Sequence, residues 1–290
     1  MPKNIDKRLK LLTQAVCIRR LEKIFPGIPA PITAVKDLSL DIAKGEVAII
    51  LGPSGCGKST LIRMIAGLEK PTTGTLLVND KHFDKPLLEC SMVFQSYTSF
   101  PWLTVIDNIA FGLRYINKTL SPKERIEKAR SFAKLVGLQE FENAYIGTLS
   151  GGMKQRVAIA SALATEPEIL LMDEPFGALD SQTRMVMQEH LLKIVGETDK
   201  TVVFVTHDIE EALLLGDRIY VCTSRPAKVL EEIDVPFPHP RTANTRNRKD
   251  FFELKHVIFN LLRDHITARE LELVYKERGR KKNVQKKISI

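Results

Sequence analysis

The chain has 290 residues, 44% of them hydrophobic and 27% charged, a size and balance that exclude wholesale disorder and allow one large domain or two modest ones. No apolar run approaches the roughly 18 residues needed to cross a bilayer. The net charge of +8 invites a nucleic-acid reading, but residues 276–290, with seven Lys/Arg and one Glu, supply +6 of it, and no stripe of basic and aromatic residues accompanies them, so no nucleic-acid partner is expected.

The basic N-terminal stretch lacks an apolar segment long enough for a signal peptide, so secretion is not expected. Cys17, Cys56, Cys90 and Cys222 show no C-x-x-C spacing, which argues against a zinc site or a disulfide framework and for a reduced, cytosolic protein. Val47–Leu51 is a short all-apolar run of the kind that forms a strand buried on both faces. A glycine-rich turn and a helical pattern from Thr60 to Ala66 follow, closed by Gly67. Residues 98–164 read as mostly helical. Within them Ser121-Pro122-Lys123-Glu124 is a capping box with proline at the first helical position, and Gly137 is placed to end that helix. Two further apolar runs, Ile169–Met172 and Val202–Val205, end in Asp173-Glu174 and Thr206-His207. Beyond residue 225 prolines cluster and mark an exit from the core; Phe251 to Leu262 is then amphipathic, ahead of the basic tail.

Strand ends that carry polar groups, with helices between the strands, predict a mainly parallel α/β sheet whose ligand crevice lies at its carboxyl edge. The helical stretch reads as a subdomain inserted into that core. The expected divisions are 15–245 for the core domain, with its helical subdomain at about 98–164, and 246–290 for a short C-terminal helical extension ending in the tail. The tail reads as a solvated segment or as a weak electrostatic attachment to anionic lipid or an acidic partner.

Gly52-Pro53-Ser54-Gly55-Cys56-Gly57-Lys58-Ser59-Thr60 matches G-x-x-x-x-G-K-[ST] between a strand and a helix, the setting of a P-loop NTPase. Such glycines let successive N–H groups face one anion, with the following helix's N-terminus adding its dipole. Lys58 suits the β- and γ-phosphates of ATP, and Ser59 suits Mg²⁺. Asp173 suits the metal and Glu174 the attacking water, while His207 at the same sheet edge suits the γ-phosphate. The other histidines (His82, His190, His239, His256 and His265) lack such a setting. Ser150-Gly151-Gly152 offers an N-cap and exposed N–H groups at a second helix start, either a capped corner or a second phosphate-seeking site.

These motifs, in this order over roughly residues 15–225, resemble the ATP-binding cassette (ABC) family. GPSGCGKST resembles its Walker A loop, LSGGMKQR its signature motif and ILLMDEP its Walker B strand. Phe94-Gln95 resembles the Q-loop, Gly177–Asp180 the D-loop and Thr206-His207-Asp208 the switch histidine segment. The resemblance adds Gln95 to the Mg²⁺ and catalytic sets and Phe25 as the aromatic that stacks on adenine. It implies two subunits sandwiching two ATP molecules head to tail, with Lys58 of one and Ser150, Gly151 and Gly152 of the other on one γ-phosphate. Hydrolysis then removes the shared anion and releases the pair.

Phe100-Pro101-Trp102-Leu103-Thr104 and the residues on to Leu113, Phe176–Asp180 with Thr183-Arg184 and Met187-Gln188, and Ser224-Arg225-Pro226-Ala227 running into Glu231–Val235 resemble importer ATPases of the nitrate/sulfonate/taurine/bicarbonate group. That likeness implies a separate membrane permease, a solute-binding protein, and a peripheral position on the cytoplasmic face of the membrane. Phe100 and Trp102 read either as docking anchors or as subdomain core. Other readings are a soluble cassette ATPase acting on nucleic acid or a protein assembly, and a switch that binds ATP without hydrolysing it; Glu174 and His207 count against the latter. Ser161 stands where the family pattern has an arginine, so a local ion pair is expected to be missing.

Overall fold

The structure is a computed structural model; it describes residues 13–265 apart from Tyr97, Asn117 and Asp199, and the basic tail at 276–290 lies outside the described residues. The first sheet is antiparallel, with β1 (Gln14–Phe25) between β2 (Ile32–Ala43) and β4 (Thr73–Val78). The second has six strands. Its centre is β6 (Ile169–Asp173), β7 (Thr201–Thr206) and β3 (Val47–Leu51), side by side and parallel. Parallel strands β5 (Cys90–Val93) and β8 (Arg218–Cys222) flank them, and β9 (Val229–Asp234) closes one edge antiparallel to β8. The three apolar runs of the sequence are thus the three central strands.

Every residue of β3, β6 and β7 is buried, as both-face coverage requires. Alternation sorts their side chains onto two faces. Ala48, Ile50, Leu171, Val203 and Val205 pack with α1 (Lys58–Ile65) and the antiparallel sheet. Val47, Ile49, Leu51, Met172 and Phe204 pack on the opposite side with the remaining helices. These include the inserted helical region, α2 (Val105–Phe111), α3 (Leu113–Ile116), α4 (Pro122–Leu135) and α5 (Gly151–Ala164). They also include α6 (Ser181–Glu197), α7 (Ile209–Leu215) and a final helix, α8, running from 249 to 265.

The local signals act as expected. Ser121 and Glu124 form the capping box of α4, and Gly137 beyond its end has φ +66°. Ser161, in place of the arginine, bonds its hydroxyl back to the Val157 carbonyl at 2.8 Å. The proline cluster does not mark an exit from the core. Phe237 is buried, stacks on Phe251 of α8 at 5.5 Å, and with Ile258 joins the apolar cluster under β6 and β7. Proline punctuation here turns the chain back onto the core rather than releasing it. Among the described residues no helix is long and apolar enough to cross a membrane.

Candidate active site

The loop after β3 shows why its glycines are needed. Gly57 has φ +123°, and a Cβ there would stand 2.3 Å from the Ala34 carbonyl oxygen of β2. Gly55 has φ +73° with nothing within 4 Å of its Cβ position, so its backbone conformation alone favours glycine. Helix α1 begins at Lys58, two residues earlier than the apolar pattern indicates, so Lys58 and Ser59 lie in its first turn. Lys58 is 3% exposed and donates through Nζ to the carbonyls of Gly52 and Pro53, each at 2.9 Å. Cys56 is buried, and burial pushes its thiol above the ordinary range.

Strand alternation carries Asp173 to the α1 side of the sheet, where its Oδ1 accepts from Ser59 Oγ at 3.0 Å. Asp173 is buried. Burial pushes its carboxyl up; the Ser59 hydrogen bond pulls partly back, while the Glu174 charge adds to the rise. Glu174 lies just past the strand with φ +47° and its N–H on the Val205 carbonyl at 3.0 Å. This left-handed step ends the alternation and swings the carboxylate between two groups. Its Oε1 is 3.8 Å from Lys58 Nζ, and its Oε2 is 3.0 Å from His207 Nδ1.

Thus Lys58, Ser59, Asp173, Glu174 and His207, spread over 150 positions of sequence, meet at the carboxyl edge of β3, β6 and β7. Gln95 is placed at the same edge, two residues past β5, whose Val93 pairs with Met172; its side chain is exposed. No hydrogen bond joins it to Ser59 or Asp173 among the described residues. Phe25 ends β1 opposite Ile32, two positions from the Ala34 that touches Gly57, with the Lys23 ammonium 4.8 Å from its ring centre. Ser150 caps α5 by accepting from Met153 N–H at 3.3 Å. The ideal Cβ position of Gly152 is 3.4 Å from Leu179 and 3.8 Å from the Ala178 carbonyl, so the second glycine-rich helix start rests on the loop that leads into α6.

Sequence reading missed two features. Arg225, noted only as part of a resemblance, donates from Nε to the Gly55 carbonyl at 3.1 Å, while Ala227 donates to Ala34 O at 2.8 Å; together they tie the phosphate loop to the antiparallel sheet. The second is a buried polar chain behind His207, from Thr206 through Glu211 to Gln188. Thr206 and Gln188 were noted only as parts of resemblances and Glu211 carries no motif, although a glutamate four residues after His207 and a glutamine beside Met187 were the visible signals.

The Ser59–Asp173 pair supplies hard oxygen donors, as Mg²⁺ prefers. Among the described residues no group of three or more His, Cys, Asp and Glu could hold a metal by itself.

The ABC transporter family profile matches residues 35–177. The nitrate import ATP-binding protein NrtD of Synechocystis sp. is 43% identical over 256 residues, covering 86% of this chain and 96% of its own. The taurine import ATP-binding protein TauB of Pelagibacter ubique is 48% identical over 204 residues, covering 70% and 76%. Among solved structures, the dimeric post-hydrolysis state of the ATP-binding cassette MJ0796 bound to ADP and Pi matches with a TM-score of 0.70 and 35% identity, covering 77% of this chain and all of that one. With a phosphate loop, an acidic strand end and a histidine converging on one sheet edge, the chain belongs to the ABC transporter family and is one of its ATP-binding, ATP-hydrolysing subunits.

Proposed function

We propose that this chain powers an importer for a small anion or polar solute of the nitrate, sulfonate, taurine or bicarbonate kind. Two copies, or this chain and a close relative, close around two ATP molecules beneath a separate membrane permease. The nitrate and taurine import that NrtD and TauB are named for supports the solute class, and the dimeric cassette of known structure supports the pairing. On this reading the chain sits at the cytoplasmic face of the membrane through its permease, and an extracytoplasmic binding protein delivers the solute. Residues 15–245 form the ATPase domain, with the helical subdomain at about 98–164, and 246–290 form the extension.

In this assignment the loop from Gly52 through Thr60, Cys56 and its neighbours included, wraps the phosphates with backbone N–H groups, and Phe25 stacks on adenine. Lys58 Nζ exchanges its loop carbonyls for β- and γ-phosphate oxygens. Ser59, Asp173 and Gln95 hold Mg²⁺, which supplies charge neutralisation on the phosphates. Glu174 orients a water toward the γ-phosphorus and accepts its proton. The bridging oxygen leaves with its electron pair on ADP, and inorganic phosphate is released. His207, held by Nδ1 against Glu174, presents its other ring nitrogen to the γ-phosphate. Ser150, Gly151 and Gly152 of the second copy close the far side of that phosphate.

One observation carries this reading: Glu174, turned by a positive φ, stands between the phosphate-loop lysine and His207. Glu174→Gln keeps the shape and removes the base. Expected are ATP affinity within about threefold, an ATP-dependent dimer on gel filtration, and turnover lowered by at least 10²-fold, the scale of a lost general base. Hydrolysis at the wild-type rate would overturn the assignment of Glu174.

A further inference from the structure

His207 is 55% exposed at its side chain and, among the described residues, has one side-chain hydrogen-bond partner, Glu174. Where its ring sits is therefore decided by its backbone, at the junction of β7 and α7. That junction is held from behind. Thr206 donates from Oγ1 to Glu211 Oε2 at 2.8 Å and accepts from Asp208 N–H at 3.0 Å, bracketing His207. Asp208 caps α7 by accepting from the N–H groups of Glu210 and Glu211. Glu211 Oε1 accepts from Gln188 Nε2 of α6 at 3.1 Å, and Gln188 Oε1 accepts from Arg246 at 2.6 Å. Thr206, Glu211 and Gln188 are buried, so the bonds that join Glu211 to Thr206 and to Gln188 run where water does not compete.

The segment that supplies Arg246 also grips α7 itself in two places. Arg241, 4% exposed, sets its guanidinium on the carbonyls of Leu213, Leu214 and Gly216 at the C-terminal end of α7, where the helix dipole favours a cation. Lys255 of α8 donates to Glu210 in the first turn. A seven-residue helix is thus held at its start by Lys255, at Glu211 through Gln188 of α6, which Arg246 braces, and at its end by Arg241.

We propose that the segment from Arg241 through α8 is a clamp that positions His207, acting on α7 and through the Arg246–Gln188–Glu211–Thr206 chain, with Arg246 a positioning residue for ATP hydrolysis. The proposal rests on the assignment of His207 to the γ-phosphate. It gives the C-terminal segment a part in turnover that nucleotide binding does not need, because Cys56 of the phosphate loop and β1, the strand that Phe25 ends, pack on the other side of the sheet.

The test uses the full chain with Mg²⁺ and ATP. Arg246→Met is expected to lower kcat about tenfold, the scale of a misplaced catalytic group, while KM for ATP and the Kd of a fluorescent ATP analogue stay within twofold. In the nucleotide-free chain, the ring resonance of His207 shifts or broadens while that of His82 does not. Arg246→Lys recovers part of kcat. His207→Ala separates the two layers: if it hydrolyses ATP at the wild-type rate, the assignment of His207 fails. If it is inactive while folded Arg246→Met keeps wild-type kcat or leaves the His207 resonance in place, the clamp is wrong. Should Arg246→Met fail to fold, Lys255→Met, which removes a half-exposed contact, is expected to lower kcat about threefold at unchanged KM; unchanged kcat there also overturns the proposal.

Discussion

At the residue scale, Asp173 shows stability given up for chemistry. Its carboxyl is buried against Ser59, and burial pushes its pKa up, so the folded protein binds a proton there more tightly than the unfolded chain does. Stability contributed at this position therefore falls as pH rises from the ordinary carboxylate range through the raised folded value. Asp173→Asn keeps an oxygen for Ser59 and removes the buried charge. The nucleotide-free Tm at pH 8 is expected to rise by roughly 2–4 °C, the shift that about 1 kcal/mol produces in a domain of this size, while Mg²⁺-dependent ATP binding is lost. Because the wild-type carboxyl becomes neutral once pH falls below its raised folded value, the gap between the two proteins should narrow as pH falls toward the ordinary carboxylate range. A gap that is constant with pH, or a less stable variant, would refute the argument. The residues of this site were legible because each sits in a dense local pattern: five of them follow a buried run of strand or open a helix. Arg225 and Gln188 were not, since what they do is fixed by partners 170 and 58 positions away.

At the element scale, the central strands were readable as unbroken apolar runs, but the antiparallel sheet was not. β1 and β2 carry register shifts, and Arg20 and Asp37 have positive φ; these irregularities scramble the period-2 alternation by which a half-buried strand is recognised. The helical region resolves a question the sequence left open. Phe100 packs on Phe111 of α2 at 4.5 Å and on Trp102 at 5.5 Å, yet Trp102 is 69% exposed and Tyr115 61%. Trp102 is thus surface rather than subdomain core, resting on an aromatic base that holds it outward. Its exposure fits a docking anchor for the proposed permease, where a seated tryptophan is commonly worth about 2 kcal/mol or more. Trp102→Ala should leave the Tm and ATPase rate of the isolated chain within error and weaken co-purification with the permease at least tenfold. Retained assembly at wild-type affinity would return Trp102 to an ordinary surface residue.

At the scale of the whole molecule, one chain contributes two glycine-rich helix starts. Lys58 opens α1 beneath the sheet edge, and Ser150 opens α5, which packs on the other face. If the two act on one ATP in trans, each site in a dimer is made of Lys58 from one copy and Ser150 from the other. Mixed dimers then decide the matter by counting. In a Glu174→Gln background that blocks turnover, pair a Lys58→Ala copy with a Ser150→Phe copy. In trans, both defects fall in one site and the second site is intact, so one ATP is retained per dimer. Placing both substitutions in one copy and pairing it with an unaltered copy damages each site once, and retention is lost. Were the two helix starts to serve one nucleotide within a single chain, the outcomes would reverse: the first pairing would hold none and the second would hold one. The arithmetic does not depend on which solute is carried or on the permease, because it reads only how two copies of this fold share a γ-phosphate. A reversed pattern would remove the shared phosphate as the force that closes the dimer, leaving the site chemistry of Lys58, Asp173 and Glu174 standing on its own.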